Sequence, residues 1–258
     1  MSDVTRPDRA VALGLGISVI LTTFVVWVVN ALIYTARWDF IAFHPERAAR
    51  QSPTISRAIS DPRIGEPFAD WMAICAPALL VGVTLLVLGI LADLRSRIGH
   101  DTKTFGWFAR MGGFLVILQA MASVGMVVLS HFRFPDHHFG HMMGSYLFFF
   151  SQALVVFGGQ VISNAFSRLP EKDQVLLPVM VAIRRKYIWV PVILAVVYLS
   201  CFVLKDVDLG AINKPLFVVY VSTEPLLISS FLFYVLSFVP DCLAIVLRYV
   251  RGSSVTAA

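Results

Sequence analysis

The chain has 258 residues, 58% of them hydrophobic and only 14% charged, with a net charge of +5. A soluble domain carries about 25% charged and about 45–50% apolar residues, so this composition excludes an ordinary water-soluble fold and asks for an apolar solvent. The basic surplus is scattered between apolar runs rather than gathered on one face, which gives no footing for a nucleic-acid partner and points instead to membrane topology.

The first apolar run, at about 11–35, follows Arg6 and Arg9 and exceeds the roughly 7–15 residues of a cleaved signal core. No small-x-small site follows it closely, so it reads as a retained first span. The outer loop after it, at about 36–69, carries Pro45, Pro53, Pro62 and Pro67; such punctuation predicts ordered turns and extended segments rather than a further span. Five more spans are expected at about 70–94, 106–131, 140–163, 187–204 and 216–247, each long enough to cross roughly 30 Å of hydrocarbon as a helix. Helices satisfy their own backbone amides inside lipid, and the runs lack the short alternating pattern of a barrel. The expected fold is all-α: a single polytopic membrane domain over 1–258, built as a six-transmembrane-helix bundle.

The connections fix the expected orientation. Thirteen Lys and Arg fall on the side of the two termini and eight on the other, five of the eight in the first outer loop. The positive-inside bias therefore places both termini in the cytoplasm. Cys75, Cys201 and Cys242 lie in or beside apolar runs with no C-x-x-C spacing, so they read as small core residues rather than a disulfide or zinc framework.

Two places stand out for chemistry. The segment from His131 to His141 holds four of the six histidines, together with Asp136. Imidazole groups with an acidic neighbour suit a metal ion such as Zn, Cu or Fe, which makes Asp136, His137, His138 and His141 candidate ligands. The competing reading is an interfacial loop whose histidines meet water and headgroups. The second place is Glu224, inside the sixth apolar segment and followed by Pro225. A carboxylate there is costly and marks a functional or pairing role, unless the helix restarts at the proline and Glu224 caps it. Near the outer ends of their spans, His141 and Glu224 are candidates for an acid–base pair. Gln119, Gln152, Gln160 and Asn164 read as hydrogen-bonding glue between helices. Asp93 and Asp241 read as span-end anchors beside Arg95 and Arg248. No G-x-S-x-G, H-E-x-x-H or phosphate-cradling glycine loop occurs, and no organic cofactor is predicted.

Taken in order, Pro53-Thr54-Ile55-Ser56, then Gly65-Glu66-Pro67, then His141 opening the fourth span, then Thr223-Glu224 in the last, the chain resembles the Frag/DRAM/Sfk family of six-span proteins. That family includes damage-regulated autophagy modulators and GPI-anchor lipid-remodelling factors. The chain departs from the family pattern where Glu66 precedes its proline instead of following it, and in the spacing around Glu224. The resemblance implies lipid-linked work in a membrane: remodelling of lipid anchors, control of phospholipid distribution or scaffolding of lipid kinases. It implies candidate roles for His141, Glu66 and Glu224. The expectation is thus a multi-pass integral membrane protein that handles or organises lipids, with the outer loop as a surface for membrane-protein partners. The alternatives are an intramembrane lipid-modifying enzyme and a small transporter whose path Glu224 would line.

Overall fold

Long apolar runs have one economical solution in a bilayer, and the chain adopts it six times. The computed structural model describes residues 9–99 and 101–254; Arg6, one of the basic residues assigned to the cytoplasmic side, lies outside them. Six helices or helix pairs are long and apolar enough to cross a membrane. They are α1 (Arg9–Phe43), α4 (Pro62–Ile98), α5 (Thr102–His131), α6 (His138–Phe166), the pair α7 (Pro178–Tyr187) and α8 (Trp189–Leu204), and the pair α9 (Asn213–Leu236) and α10 (Val239–Ser254). Two short helices, α2 (Pro45–Arg50) and α3 (Ile55–Ala58), lie between the first two spans. Among the described residues there is no strand. Successive helices α1, α4, α5 and α6 pack side by side, while α9 lies against α1 and α8, and α10 returns against α1. The three cysteines are free and buried.

The loop expected as turns and extended chain between 36 and 69 is mostly helix. α1 runs on to Phe43, and α4 already begins at Pro62. The prolines that suggested breaks instead start helices: Pro45 and Pro62 each occupy a first-turn position, where the missing N–H costs nothing and the fixed φ is already helical. Asp61 caps α4 by accepting from the Arg63 N–H at 3.0 Å. It also takes the Arg63 side chain at 2.7 Å and the His44 ring at 2.8 Å, so it ties the end of α1 to the start of α4. The Arg63 hydrogen bond, with help from His44, holds the Asp61 carboxyl well below the usual carboxylate range, against the opposing effect of its burial. A depressed carboxyl stabilises the fold above its unfolded value and loses that contribution as pH falls through its folded value. Asp61→Asn is therefore expected to melt below the wild type at neutral pH, with the gap closing once pH falls below about 4. Parallel thermal melts across pH check this; a gap independent of pH would refute it.

The sixth span does not restart at Pro225. α9 runs unbroken through Glu224 and Pro225, and the interruption comes at Ser237 and Phe238, between α9 and α10. The fifth span is longer than expected because α7 continues into α8. This brings Arg184, assigned from the sequence to a cytoplasmic loop, inside the bundle. Arg184 and Asp241 are both fully buried, 2.6 Å apart. The guanidinium also donates to Ser163 Oγ and to the Ser237 carbonyl, and lies over the Phe238 ring. Asp241 accepts in addition from the Leu177 N–H at 2.7 Å. One ion pair thus joins α6, α7, α9 and α10 at the break in the last span. Asp93, in turn, is shared by Arg97 and Arg248, each at 3.0 Å. The carboxylates do anchor the ends of spans, but Asp93 takes Arg97 and Arg248 rather than Arg95, and Asp241 takes Arg184 rather than Arg248.

Of the amide side chains, Gln160 makes the expected bond between helices, accepting from the Tyr234 hydroxyl at 2.9 Å. Among the described residues Gln119 reaches only Ser123, on its own helix, at 3.5 Å. The Gln152 amide is buried without a hydrogen-bond partner among the described residues.

Candidate functional site at the outer end of the bundle

The end of the bundle that carries α2 and α3 is the one the charge bias assigns to the outside. Its key element is α3, a single turn. Pro53 restricts the chain entering it, and Thr54 caps it by accepting from the Arg57 N–H at 3.1 Å. Such a cap satisfies an N–H that the turn itself leaves free. The turn is clamped from two sides by the two residues singled out in the sequence. Glu224 Oε2 accepts from the Ile55 N–H at 2.9 Å. His141 Nε2 lies 2.8 Å from Ser56 Oγ.

His141 is held rigidly. It is 2% exposed, and its Nδ1 lies 2.9 Å from the Leu129 carbonyl oxygen and 3.1 Å from that of Phe132. This reach across helices depends on two glycines. A Cβ on Gly144 would sit 2.5 Å from the Leu129 N, and one on Gly125 would sit 2.5 Å from the Phe148 N. Small residues let helix backbones touch in this way, and the touch brings the first turn of α6 onto the last turn of α5. Gly65 serves a similar close approach at the start of α4, where a Cβ would clash with the Ile59 carbonyl oxygen and the Arg133 side chain.

Glu224 is 5% exposed. Its second oxygen has no hydrogen-bond partner among the described residues. Both Glu224 and Ser56 line a cavity of about 40 Å³, with Ile55, Ser145, Phe149 and otherwise apolar side chains around them. That volume is room for a water molecule or two, or for one small polar group. Arg37 lies close enough for its charge to act on Glu224.

His141 and Glu224 are therefore neighbours, but not partners. No hydrogen bond joins them, because Ile55 and Ser56 stand between and take one each. Glu66 is elsewhere: its side chain is 68% exposed and pairs loosely with Arg133 at 3.8 Å. The candidate metal ligands are not brought together. Asp136, His137 and His138 are exposed. The His137 ring meets Phe132 edge-on and the His138 ring meets Phe134. α6 begins at His138, which leaves His137 outside the helix face that carries His141. Among the described residues no group of three or more His, Cys, Asp or Glu is placed to hold a metal ion. The residue that sequence reasoning missed is Ser56. The motif containing it was visible, but a lone serine in a polar loop has no pattern that separates it from its neighbours.

A second feature lies just beside this cavity. A groove of about 740 Å³ runs between α1, α8 and α9, lined by Val190, Ile193, Leu226 and Phe233 with Asn30, Tyr34, Tyr187, Ser229 and Ser230. Along α1, Val29 and Ile33 face the cavity while Asn30 and Tyr34 face the groove; along α9, Glu224 and Ile228 face the cavity while Leu226 and Ser229 face the groove. The wall between them is a hydrogen-bonded seam, with Ser229 donating to Asn30 Oδ1 at 2.6 Å and lying 3.4 Å from the Tyr34 hydroxyl. No family model, curated protein or solved structure matches this chain.

Proposed function

We propose that this protein handles membrane lipids, receiving one in the groove between α1, α8 and α9. The observation that carries this reading is the groove's construction. Val190, Ile193, Leu226 and Phe233 are exposed in the bundle, so the groove opens sideways to the hydrocarbon that surrounds a membrane helix. Its volume falls within the range of about 300–1,000 Å³ usual for small-molecule sites. Its floor carries the Asn30, Tyr187, Ser229 and Ser230 amide and hydroxyl groups, which bond within the protein and keep hydrogen-bonding capacity to spare. An acyl chain would cover the apolar rim, while the polar floor would hold an ester or headgroup oxygen. The likeness to the Frag/DRAM/Sfk family, whose known roles concern lipids, supports the same direction.

Transport is less well supported. A transporter calls for broken helices or a polar cavity near the midplane. Here the last span does break, at Ser237 and Phe238, but the cavity that Phe238 lines among α4, α5, α6 and α9 is apolar, walled by Val, Leu, Ile and Phe with Tyr234.

The test is lipid retention. Protein purified in mild detergent is expected to keep a phospholipid that native mass spectrometry detects. Ile193→Trp combined with Leu226→Trp, both at exposed positions that fill the groove, is expected to lose it without a lower melting temperature. A wild type that keeps no more lipid than the filled variant would end the proposal.

A further inference from the structure

The contact between His141 and Ser56 has a defined polarity. A carbonyl oxygen can only accept a hydrogen bond. Nδ1 of His141 faces two of them, from Leu129 and Phe132, so Nδ1 carries the ring hydrogen. In the neutral imidazole Nε2 then holds a bare lone pair. At 2.8 Å from Ser56 Oγ, it accepts the serine proton. A serine hydroxyl donating to a histidine nitrogen, with the histidine oriented from behind by a third group, is the arrangement of an activated nucleophile and its general base. The backbone carbonyls take the orienting place here. A tie between α3 and α6 would serve the fold equally well with a ring free to turn; the two carbonyls remove that freedom and leave only the tautomer that can take a proton from Ser56.

The surroundings suit the same chemistry. Ser56 is half-buried and opens to the small cavity, while its base is shut away from solvent. Glu224 fixes the backbone of Ile55, the residue before the nucleophile. The groove proposed for lipid lies on the other side of the Asn30–Ser229 seam, so an acyl ester held there meets Ser56 when that seam parts.

We propose that Ser56 and His141 form a nucleophile–base pair that acts on acyl esters of membrane lipids. The choice of substrate rests on the lipid-handling reading above; the pair itself does not. Ser56 Oγ attacks the ester carbonyl carbon as its proton passes to His141 Nε2. The tetrahedral adduct then collapses, the ester C–O bond breaks, and the departing alkoxide takes the proton back from Nε2. The acyl group is left on Ser56. Water, or the hydroxyl of a second lipid, repeats the two steps from the other side, giving a free acid in the first case and a transferred acyl chain in the second. No redox partner is needed.

The experiment uses the full chain reconstituted in phospholipid nanodiscs. A fluorophosphonate probe is added, the adduct is located by peptide mass spectrometry, and cleavage of a fluorogenic acyl-ester phospholipid is followed in parallel. The wild type is expected to label at Ser56 and to release fluorophore. Ser56→Ala abolishes both, and His141→Asn slows both by at least about 100-fold, as loss of a general base does. Each variant's melting temperature confirms that it is folded, and Ser56→Thr, which keeps a hydroxyl, serves should the alanine variant fail to fold. No label at Ser56 in the wild type overturns the pair, as does labelling that His141→Asn leaves unchanged. Labelling at Ser56 without ester cleavage keeps the pair and overturns its lipid substrate. Failure of lipid retention in the groove, by contrast, leaves the labelling at Ser56 untouched, so the two readings fall separately.

Discussion

Replacing Arg184 by methionine is expected to lower stability more than any other single change at the inner end of the bundle. The substitution leaves Asp241 at 0% exposure with its charge uncompensated, and breaking one side of a buried ion pair costs about 3–5 kcal/mol. For a chain of this size that corresponds to a fall of about 6–20 °C in melting temperature. Arg184 also donates to the Ser237 carbonyl, at the break between α9 and α10, so the loss is felt where the last span is already interrupted. The second arm of the test is the double variant Arg184→Met with Asp241→Asn. Asparagine removes the stranded charge but keeps an oxygen for the Leu177 N–H, which Asp241 holds at 2.7 Å. Most of the lost stability is expected to return, since replacing both members of a buried pair is often close to neutral. Thermal unfolding in detergent measures both. A single variant as stable as the wild type, or a double variant no better than the single, would show that the pair contributes little.

The spans were legible because hydrocarbon imposes one rule on twenty residues at a time, and an apolar run of that length has few other uses. What lay between the spans was harder to read. Pro45 and Pro62 look like breakers in a sequence, yet each starts a helix; Asp61 ahead of Pro62 signals this as a cap, whereas His44 ahead of Pro45 makes no side-chain cap and signals nothing. Arg184 was misplaced for a related reason. Beside Arg185 and Lys186 it looked like one member of a basic loop, and the residue that draws it inward, Asp241, lies 57 positions away. The signal was there in a carboxylate within an apolar segment, but such a carboxylate does not name its partner. Of the candidate site, Glu224 was visible because a carboxylate is expensive in a membrane, and His141 because it belongs to the histidine cluster that opens the fourth span. Ser56 was not visible, because nothing about a hydroxyl in a loop reports that an imidazole from α6 will meet it. The site is assembled by the crossing of α5 and α6, and a crossing is a property of pairs of helices rather than of any one stretch of sequence.

That crossing can be opened on purpose. Gly144→Leu is expected to destabilise the protein and to disconnect His141 from its orienting carbonyl. A Cβ at Gly144 meets the backbone of Leu129 at 2.5 Å, and backbone cannot swing aside as the end of a side chain can, so the helices must part. Overpacking of this kind costs about 1–3 kcal/mol, and a leucine adds three more carbons beyond the Cβ. The Leu129 carbonyl is the nearer of the two acceptors that fix the His141 ring, at 2.9 Å, so separating the helices frees the ring to turn. Reactivity at Ser56 should therefore fall by a larger factor than global stability accounts for, which a purely structural role of the glycine would not produce. Gly113→Ala supplies the control. Nothing lies within 4 Å of a Cβ there, and an alanine inside a helix is worth about 0.5–1 kcal/mol over glycine, so that variant should melt at or slightly above the wild type. Thermal melts of the three proteins, with probe labelling at Ser56, decide the matter. If Gly144→Leu melted and labelled like Gly113→Ala, the contact between α5 and α6 would not be what holds the base in place.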